Sequence, residues 1–314
     1  MTLETADKTA QFIINHRGEH QKVQIDWFGG EPLVNFKVMD LICTRLIEYG
    51  VNYFSRIATN GYLFNEIMTE KAVQLWHLKR AQITIDGTEQ NYNRIKAFTQ
   101  SDGPSPFKRV LNNIGMLLNA GIKITVRLHV SNDNVPDIRK LIELIAEKFK
   151  NFKNTELLTL QFRHLFELFG PKARLLSSEE RETLIHRIQQ LIKYGYQLGI
   201  SSSNKSSVQF FKCMVESEDA IMIVPDGHLG LCEHHSEDFF FGHIDSGEWD
   251  WDVIRQSREY CEEIPECETC ALYPRCYRLK ICGTLDICFK EVRENEFQAI
   301  QRQIQNEYKK LRDN

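Results

Sequence analysis

The sequence predicts an α/β protein. It expects a parallel sheet, doubly wound or curved into a barrel, then a small cysteine-rich domain and a charged terminal helix. Three observations carry this reading. Helical and strand spacings of apolar residues alternate through the first two-thirds of the 314 residues. Short motifs rich in Gly and Asn follow three successive strand segments. All but Cys43 of the nine cysteines fall between residues 213 and 288.

In order, residues 5–16 have helical spacing, with Ala6, Ala10, Ile13 and Ile14 on one side. Val23–Phe28 reads as a strand and leads into Gly29-Gly30-Glu31-Pro32. Residues 36–49 read as a helix presenting Phe36, Met39, Ile42, Leu46 and Ile47. A strand near 53–58 ends at Thr59-Asn60-Gly61. A helix near 65–78 and a strand over 81–85 follow, the latter within Thr84-Ile85-Asp86-Gly87. A loop holding Asp102-Gly103-Pro104 leads to a helix near 107–119, with Gly121 just beyond it as a C-terminal cap. Then come a strand over 122–130, a helix over 136–149, a strand over 157–162 and a helix over 178–198. Ser177 or Ser178 caps that last helix, with Glu180 behind it. Strand–helix–strand repetition implies parallel pairing with right-handed crossovers.

Ser201-Ser202-Ser203-Asn204-Lys205-Ser206-Ser207 reads as a linker. The expected division is a core over 1–200, a cysteine-rich domain over 208–290 and a terminal helix over 291–314. Short strands near 220–224 and 229–232 flank the hairpin turn Pro225-Asp226-Gly227. The chain opens on a helix that feeds a strand, whereas either sheet architecture expects a strand before that helix. The expectation is a chain shortened at its N-terminus by one strand and its loop.

A net charge of −4 argues against a nucleic-acid footprint, which needs a concentrated basic face. No apolar run is long enough to span a bilayer. Met1-Thr2-Leu3-Glu4-Thr5 is acidic and polar, unlike a secretory signal, so a reducing cytoplasm is expected. Disulfides are disfavoured there, which leaves metal or cluster ligation for the cysteines. Cys43 lies on an apolar helix face and reads as a small core residue.

Polar and glycine motifs at successive strand ends mark the edge where parallel α/β folds bind ligands. Turn chemistry alone uses the same residues. The cysteine array is more specific. Cys213 precedes Gly227 and Cys232. Cys267-x-x-Cys270, Cys276, Cys282 and Cys288 follow, with Cys261 as a spare. With Trp27-Phe28-Gly29-Gly30-Glu31-Pro32 and the other strand-end motifs, this array resembles radical S-adenosylmethionine enzymes that carry a C-terminal SPASM domain. The resemblance spans essentially the whole chain.

That resemblance implies a partial (β/α)6 barrel lacking its first strand, acting on a peptide or protein side chain, as in sulfatase maturation or peptide maturation. It implies that Gly29, Gly30, Glu31, Pro32, Thr59, Asn60, Thr84 and Asp86 line the S-adenosylmethionine site. Glu31 would meet the cofactor ammonium, and Arg127 its carboxylate. A barrel-mouth ion pair is the plainer reading of Arg127. It also implies two auxiliary [4Fe–4S] clusters, one on Cys213, Cys232 and Cys282 and one on Cys267, Cys270, Cys276 and Cys288. Five residues precede Cys282 where the family pattern has three. Glu233 stands where sulfatase-maturing relatives place a substrate base, and it also reads as an exposed loop residue. An electron donor such as flavodoxin or ferredoxin is implied as a partner.

The family's Cys-x-x-x-Cys-x-x-Cys loop, which holds the initiating cluster, is absent from these 314 residues. On this reading the chain by itself does not form the radical. Two alternatives stay open. One is a non-catalytic peptide-binding scaffold, and the other is a zinc-binding module built on four of the cysteines.

Overall fold

The computed structural model describes residues 1–18, 22–97, 105–164, 177–202 and 214–259, together with Gln301, Tyr308 and Arg312. It holds two compact units. One is His16–Lys205; the other joins Met1–Asn15 to Ser206–Asn314. Among the described residues no helix is long and apolar enough to cross a membrane.

The larger unit is built on six parallel strands in sequential order: β1 (Val23–Trp27), β2 (Tyr53–Thr59), β3 (Leu78–Thr84), β4 (Lys123–Val130), β5 (Leu158–His164) and β6 (Ser201–Ser202). Helices α2 (Phe36–Glu48), α3 (Glu66–Gln74), α4 (Glu89–Lys96), α5 (Pro106–Asn119), α6 (Val135–Lys148) and α7 (Ser178–Gln197) connect them. The expected parallel α/β fold is present.

The strands do not read as the continuous apolar runs that a parallel sheet buried on both faces requires. Instead they alternate. Ile124, Val126, Leu128 and Val130 of β4 are buried, as are Leu158, Leu160 and Phe162 of β5. Apolar stripes of the helices supply the rest of this core, including Met39, Ile42 and Leu46 of α2, Ile114, Leu117 and Leu118 of α5, and Leu141, Ile142 and Ile145 of α6. The opposite parity is polar. Ala58, Gln82, Thr125 and Thr159 stand in one register row, Thr84, Arg127 and Gln161 in the next, then His129 and Arg163. Period-two alternation sends these side chains to the other face of the sheet. One face of the sheet is therefore core, and the other is a polar surface.

Local signals explain the element ends. Ser177 caps α7 in a full capping box with Glu180. Gly121 follows α5 with φ +77°, as its C-cap position requires. Three expectations are corrected. The helix near 65–78 stops at Gln74, because Trp76 turns inward to donate to Asp40 and His77 takes φ 46°. That frees Leu78 to start β3 earlier than expected. The polar segment 89–96 is a helix, α4, which no apolar stripe announced. Ser201 and Ser202, counted as linker, pair with Thr159 and Leu160 of β5, and Ser202 Oγ donates to the Leu160 carbonyl.

The smaller unit contains α1 (Leu3–His16, up to Asn15), a three-stranded antiparallel sheet and α8 (Trp251–Ser257). The strands are β7 (Met222–Ile223), β8 (His228–Gly230) and β9 (Gly242–His243). Phe12 of α1 packs in one core with Val215, Leu229, Leu231, Phe241 and Ile254. Lys8 reaches Asp245 at 3.1 Å. The expected turn at Pro225-Asp226-Gly227 closes β7 on β8: Gly227 takes φ +103°, and Val224 N–H donates to the His228 carbonyl. The expected helix over 291–312 lies outside the described residues except for Gln301, Tyr308 and Arg312, each helical.

Candidate cofactor and substrate site

The loops that follow β1, β2 and β3 meet at the carboxyl edge of the sheet, and Glu31 ties the first two together. Its Oε1 accepts from Thr59 Oγ1 at 2.7 Å and from Leu33 N–H at 3.1 Å, and its Oε2 accepts from Asn60 N–H at 2.7 Å. Thr59 Oγ1 in turn accepts from Gly61 N–H at 3.0 Å. Gly61, at φ +75°, offers its carbonyl to Asn113 Nδ2 at 2.8 Å. Pro32 starts the short 3-10 turn that points Leu33 N–H back at Glu31. Gly29 has φ +140°, a conformation that L side chains rarely adopt, and it is exposed with Gly30.

A carboxylate offers about four lone-pair positions, of which Glu31 uses three. The fourth, on Oε2, can accept from a ligand ammonium without breaking the loop. This fits the amino group of S-adenosylmethionine, because charge-assisted donation to a pre-oriented carboxylate is the stronger class of hydrogen bond.

At the next strand end Asp86 is shared. Its Oδ1 lies 2.7 Å from His129 Nδ1 on β4, and its Oδ2 lies 2.9 Å from Lys96 Nζ on α4. Burial pushes its pKa up, but the His129 and Lys96 contacts outweigh that and hold it below the usual carboxylate range. Gly87, at φ +137°, lets Thr88 turn so that its N–H and hydroxyl both donate to Asp137, at 2.9 and 2.6 Å. Tyr92 of α4 is fully buried. Its hydroxyl is pushed up first by burial, then by the negative charges of Asp86 and Glu31.

On the polar face, Arg127 donates from Nε to Gln161 Oε1 at 3.0 Å. Burial, and then the like charge of Arg163, pull its pKa below the usual guanidinium range. Among the described residues no carboxylate pairs with Arg127. A half-buried guanidinium with an amide partner suits an incoming carboxylate. Thr84 stands in register beside Arg127.

Residues 27–32, 59–61, 84–87 and 127 thus share one sheet edge or the adjoining polar face. Sequence reasoning missed His129, Lys96 and Gln161. The alternation Thr125-Val126-Arg127-Leu128-His129-Val130 was the available signal, because it places Arg127 and His129 on the same face.

In the smaller unit, Cys232 ends the segment after β8. It is a half-buried thiol whose Sγ accepts from His234 N–H at 3.4 Å. A sulfur that already accepts from a backbone amide suits a ligating thiolate. Glu233 is exposed and lies 3.9 Å from His234 Nε2. Burial lowers the basicity of His235. Cys213, Cys261, Cys267, Cys270, Cys276, Cys282 and Cys288 lie outside the described residues. Cys43 is buried in α2, as expected, and burial pushes its thiol up to about 12.

The chain has the fold of two solved proteins. It superimposes on anSMEcpe with bound AdoMet at a TM-score of 0.65, with 16% identity, covering 98% of this chain and 89% of that one. It also superimposes on SuiB of Streptococcus suis bound to S-adenosylmethionine, at a TM-score of 0.58 with 13% identity, covering 87% of this chain and 65% of SuiB. Both are also known with peptides: anSMEcpe with AdoMet and the Cp18Cys peptide, and SuiB with its precursor peptide SuiA. The uncharacterized protein MJ0907 of Methanocaldococcus jannaschii is 26% identical over 244 residues, 74% of this chain and 75% of its own. No protein-family model matches the chain.

Proposed function

We propose that the carboxyl edge of the six-stranded sheet binds S-adenosylmethionine, and that the chain is part of a radical S-adenosylmethionine enzyme with a SPASM domain that modifies a peptide or protein side chain. The observation that carries this is Glu31. Its carboxylate is fixed by Thr59, Asn60 and Leu33 and keeps one acceptor position for an ammonium. The fold shared with two S-adenosylmethionine-bound proteins supports the same reading.

In this reading Glu31 receives the cofactor ammonium and Arg127 its carboxylate, with Gln161 aiming the guanidinium. Gly29 and Gly30 allow close backbone approach, while Thr59, Asn60, Thr84 and Asp86 complete the edge. Bound beside a reduced cluster, S-adenosylmethionine would accept one electron, release methionine and supply a 5′-deoxyadenosyl radical for hydrogen abstraction. The 314 residues hold no Cys-x-x-x-Cys-x-x-Cys, so this chain by itself is assigned binding and substrate positioning rather than radical formation.

Cys213, Cys232 and Cys282, and Cys267, Cys270, Cys276 and Cys288, are proposed to hold two auxiliary [4Fe–4S] clusters that relay electrons, with a flavodoxin- or ferredoxin-type protein of the cytoplasm as the electron donor. Glu233 is proposed to accept the substrate proton. Its exposure leaves the carboxylate free to reach a bound peptide.

Anaerobic reconstitution followed by iron, sulfide and zinc analysis tests the cluster assignment. Iron with acid-labile sulfide supports it, and zinc without sulfide sinks it. Equilibrium binding of S-adenosylmethionine tests the sheet edge independently of either metal.

A further inference from the structure

We propose that the smaller unit carries a docking surface for a cationic side chain, arginine or lysine, of a peptide partner. The surface surrounds a shallow, open cleft of about 490 Å³ lined by His228, Phe240, Trp249, Glu248 and Asp250. It lies in a different unit from the sheet edge and does not depend on the S-adenosylmethionine reading.

The aromatic walls are held in place. His228 stacks on Phe240 with ring centroids 5.5 Å apart, and Trp249 meets the buried Phe241 edge-on at 5.3 Å. Beside the cleft, Trp251 is 62% exposed, with its ring 5.7 Å from that of Trp249. A large exposed indole next to a second one is the pattern of a contact surface.

Charge along this segment is mostly of one sign, and Lys8, which reaches it from α1, pairs with Asp245. Over residues 214–259, Asp and Glu outnumber Lys and Arg twelve to two. Both arginines are engaged: Arg255 pairs with Asp252, and Arg258 donates to the Val215 and Ser217 carbonyls. Among the described residues no cation pairs with Glu248 or Asp250. Asp250 Oδ1 caps α8 through the N–H groups of Asp252 and Val253, which leaves Oδ2 for a ligand. In the run Glu248-Trp249-Asp250-Trp251, indole and carboxylate alternate along the chain. Ring faces and carboxylates together favour a cation over a neutral or acidic group. Glu248, Asp250 and Trp251 are exposed, so the surface suits a residue projecting from a larger partner more than an engulfed small molecule.

The test titrates the full ¹⁵N-labelled chain with a Gly-Gly-Arg-Gly-Gly peptide blocked at both ends, and with its citrulline counterpart, following the two indole N–H resonances of Trp249 and Trp251. Both resonances are expected to move saturably with the arginine peptide. Binding is expected to weaken about fivefold or more in Glu248→Gln and for the citrulline peptide, and to be lost in Trp251→Ala. Both substituted side chains are exposed, and matching melting curves of the variants will exclude unfolding. An equal response to citrulline overturns the proposal, as does a lack of response at both indoles up to millimolar peptide or unchanged affinity in both variants. Concentration-dependent shifts without peptide also overturn it, in favour of self-association at the same surface.

Discussion

Thr59 Oγ1 at the end of β2 donates to Glu31 Oε1 beyond the end of β1 at 2.7 Å, while accepting from Gly61 N–H. One hydroxyl thereby locks two of the three strand-end motifs together. Thr59→Val keeps the shape and removes both contacts. It is expected to cost about 1–2 kcal/mol, with Glu31 left short of one donor. Urea unfolding at constant m-value measures this, and a change inside experimental error would show that the link is incidental.

Asp86 carries a pH signature. Its folded pKa is held below the ordinary 3.8, so its contribution is present above that value and is lost as pH falls through the lower folded value. Asp86→Asn is expected to cost roughly 1.5–3 kcal/mol near neutrality, since Lys96 loses its counter-charge and one oxygen is left to serve two partners. The stability gap between wild type and variant should then close below about pH 4. A gap that stays constant on acidification would contradict the pairing with His129 and Lys96.

Gly87 combines φ +137° with a crowded exterior, where an added Cβ would collide with Asp137 and Asn91. Gly87→Ala should therefore destabilise by more than about 1 kcal/mol and disturb the Thr88–Asp137 pair. Gly30→Ala, whose added Cβ meets nothing within 4 Å and whose φ is not positive, is the control and should be near neutral.

Cys43 is buried, with its thiol pushed up to about 12, whereas Cys232 is half exposed. In metal-free, reduced protein, N-ethylmaleimide should label Cys232 in the native state and Cys43 only on unfolding, because the thiolate is the nucleophile. Peptide mapping by mass spectrometry reads the order. Equal native rates would refute the burial of Cys43.

Much of the fold was legible in the sequence because the signals were local. Strand ends announce themselves through Gly, Asn and Asp, so Gly29–Pro32, Thr59–Gly61 and Asp86-Gly87 stand out from the residue types alone. Glu31 was legible as a site residue but not as a bridge, since its partners Thr59 and Asn60 are contributed by another strand's end. His129 was illegible as a partner of Asp86 for the same reason: 43 positions separate them along the chain. Helix α4 was missed because Tyr92 is its one fully buried side chain, too little for a periodic stripe. Arg127 was legible as a candidate, but the polar face it shares with His129 and Gln161 was not, because parallel sheets are expected to be apolar on both sides.

Calorimetric binding of S-adenosylmethionine to the wild-type chain and to Glu31→Gln bears most directly on the cofactor assignment. Saturable binding to the wild type is expected, with affinity about tenfold or more weaker in the variant, because a neutral amide replaces a charged acceptor for the ammonium. Wild-type protein that does not bind S-adenosylmethionine, or a folded Glu31→Gln variant that binds it equally well, would contradict the assignment of this sheet edge as the cofactor site.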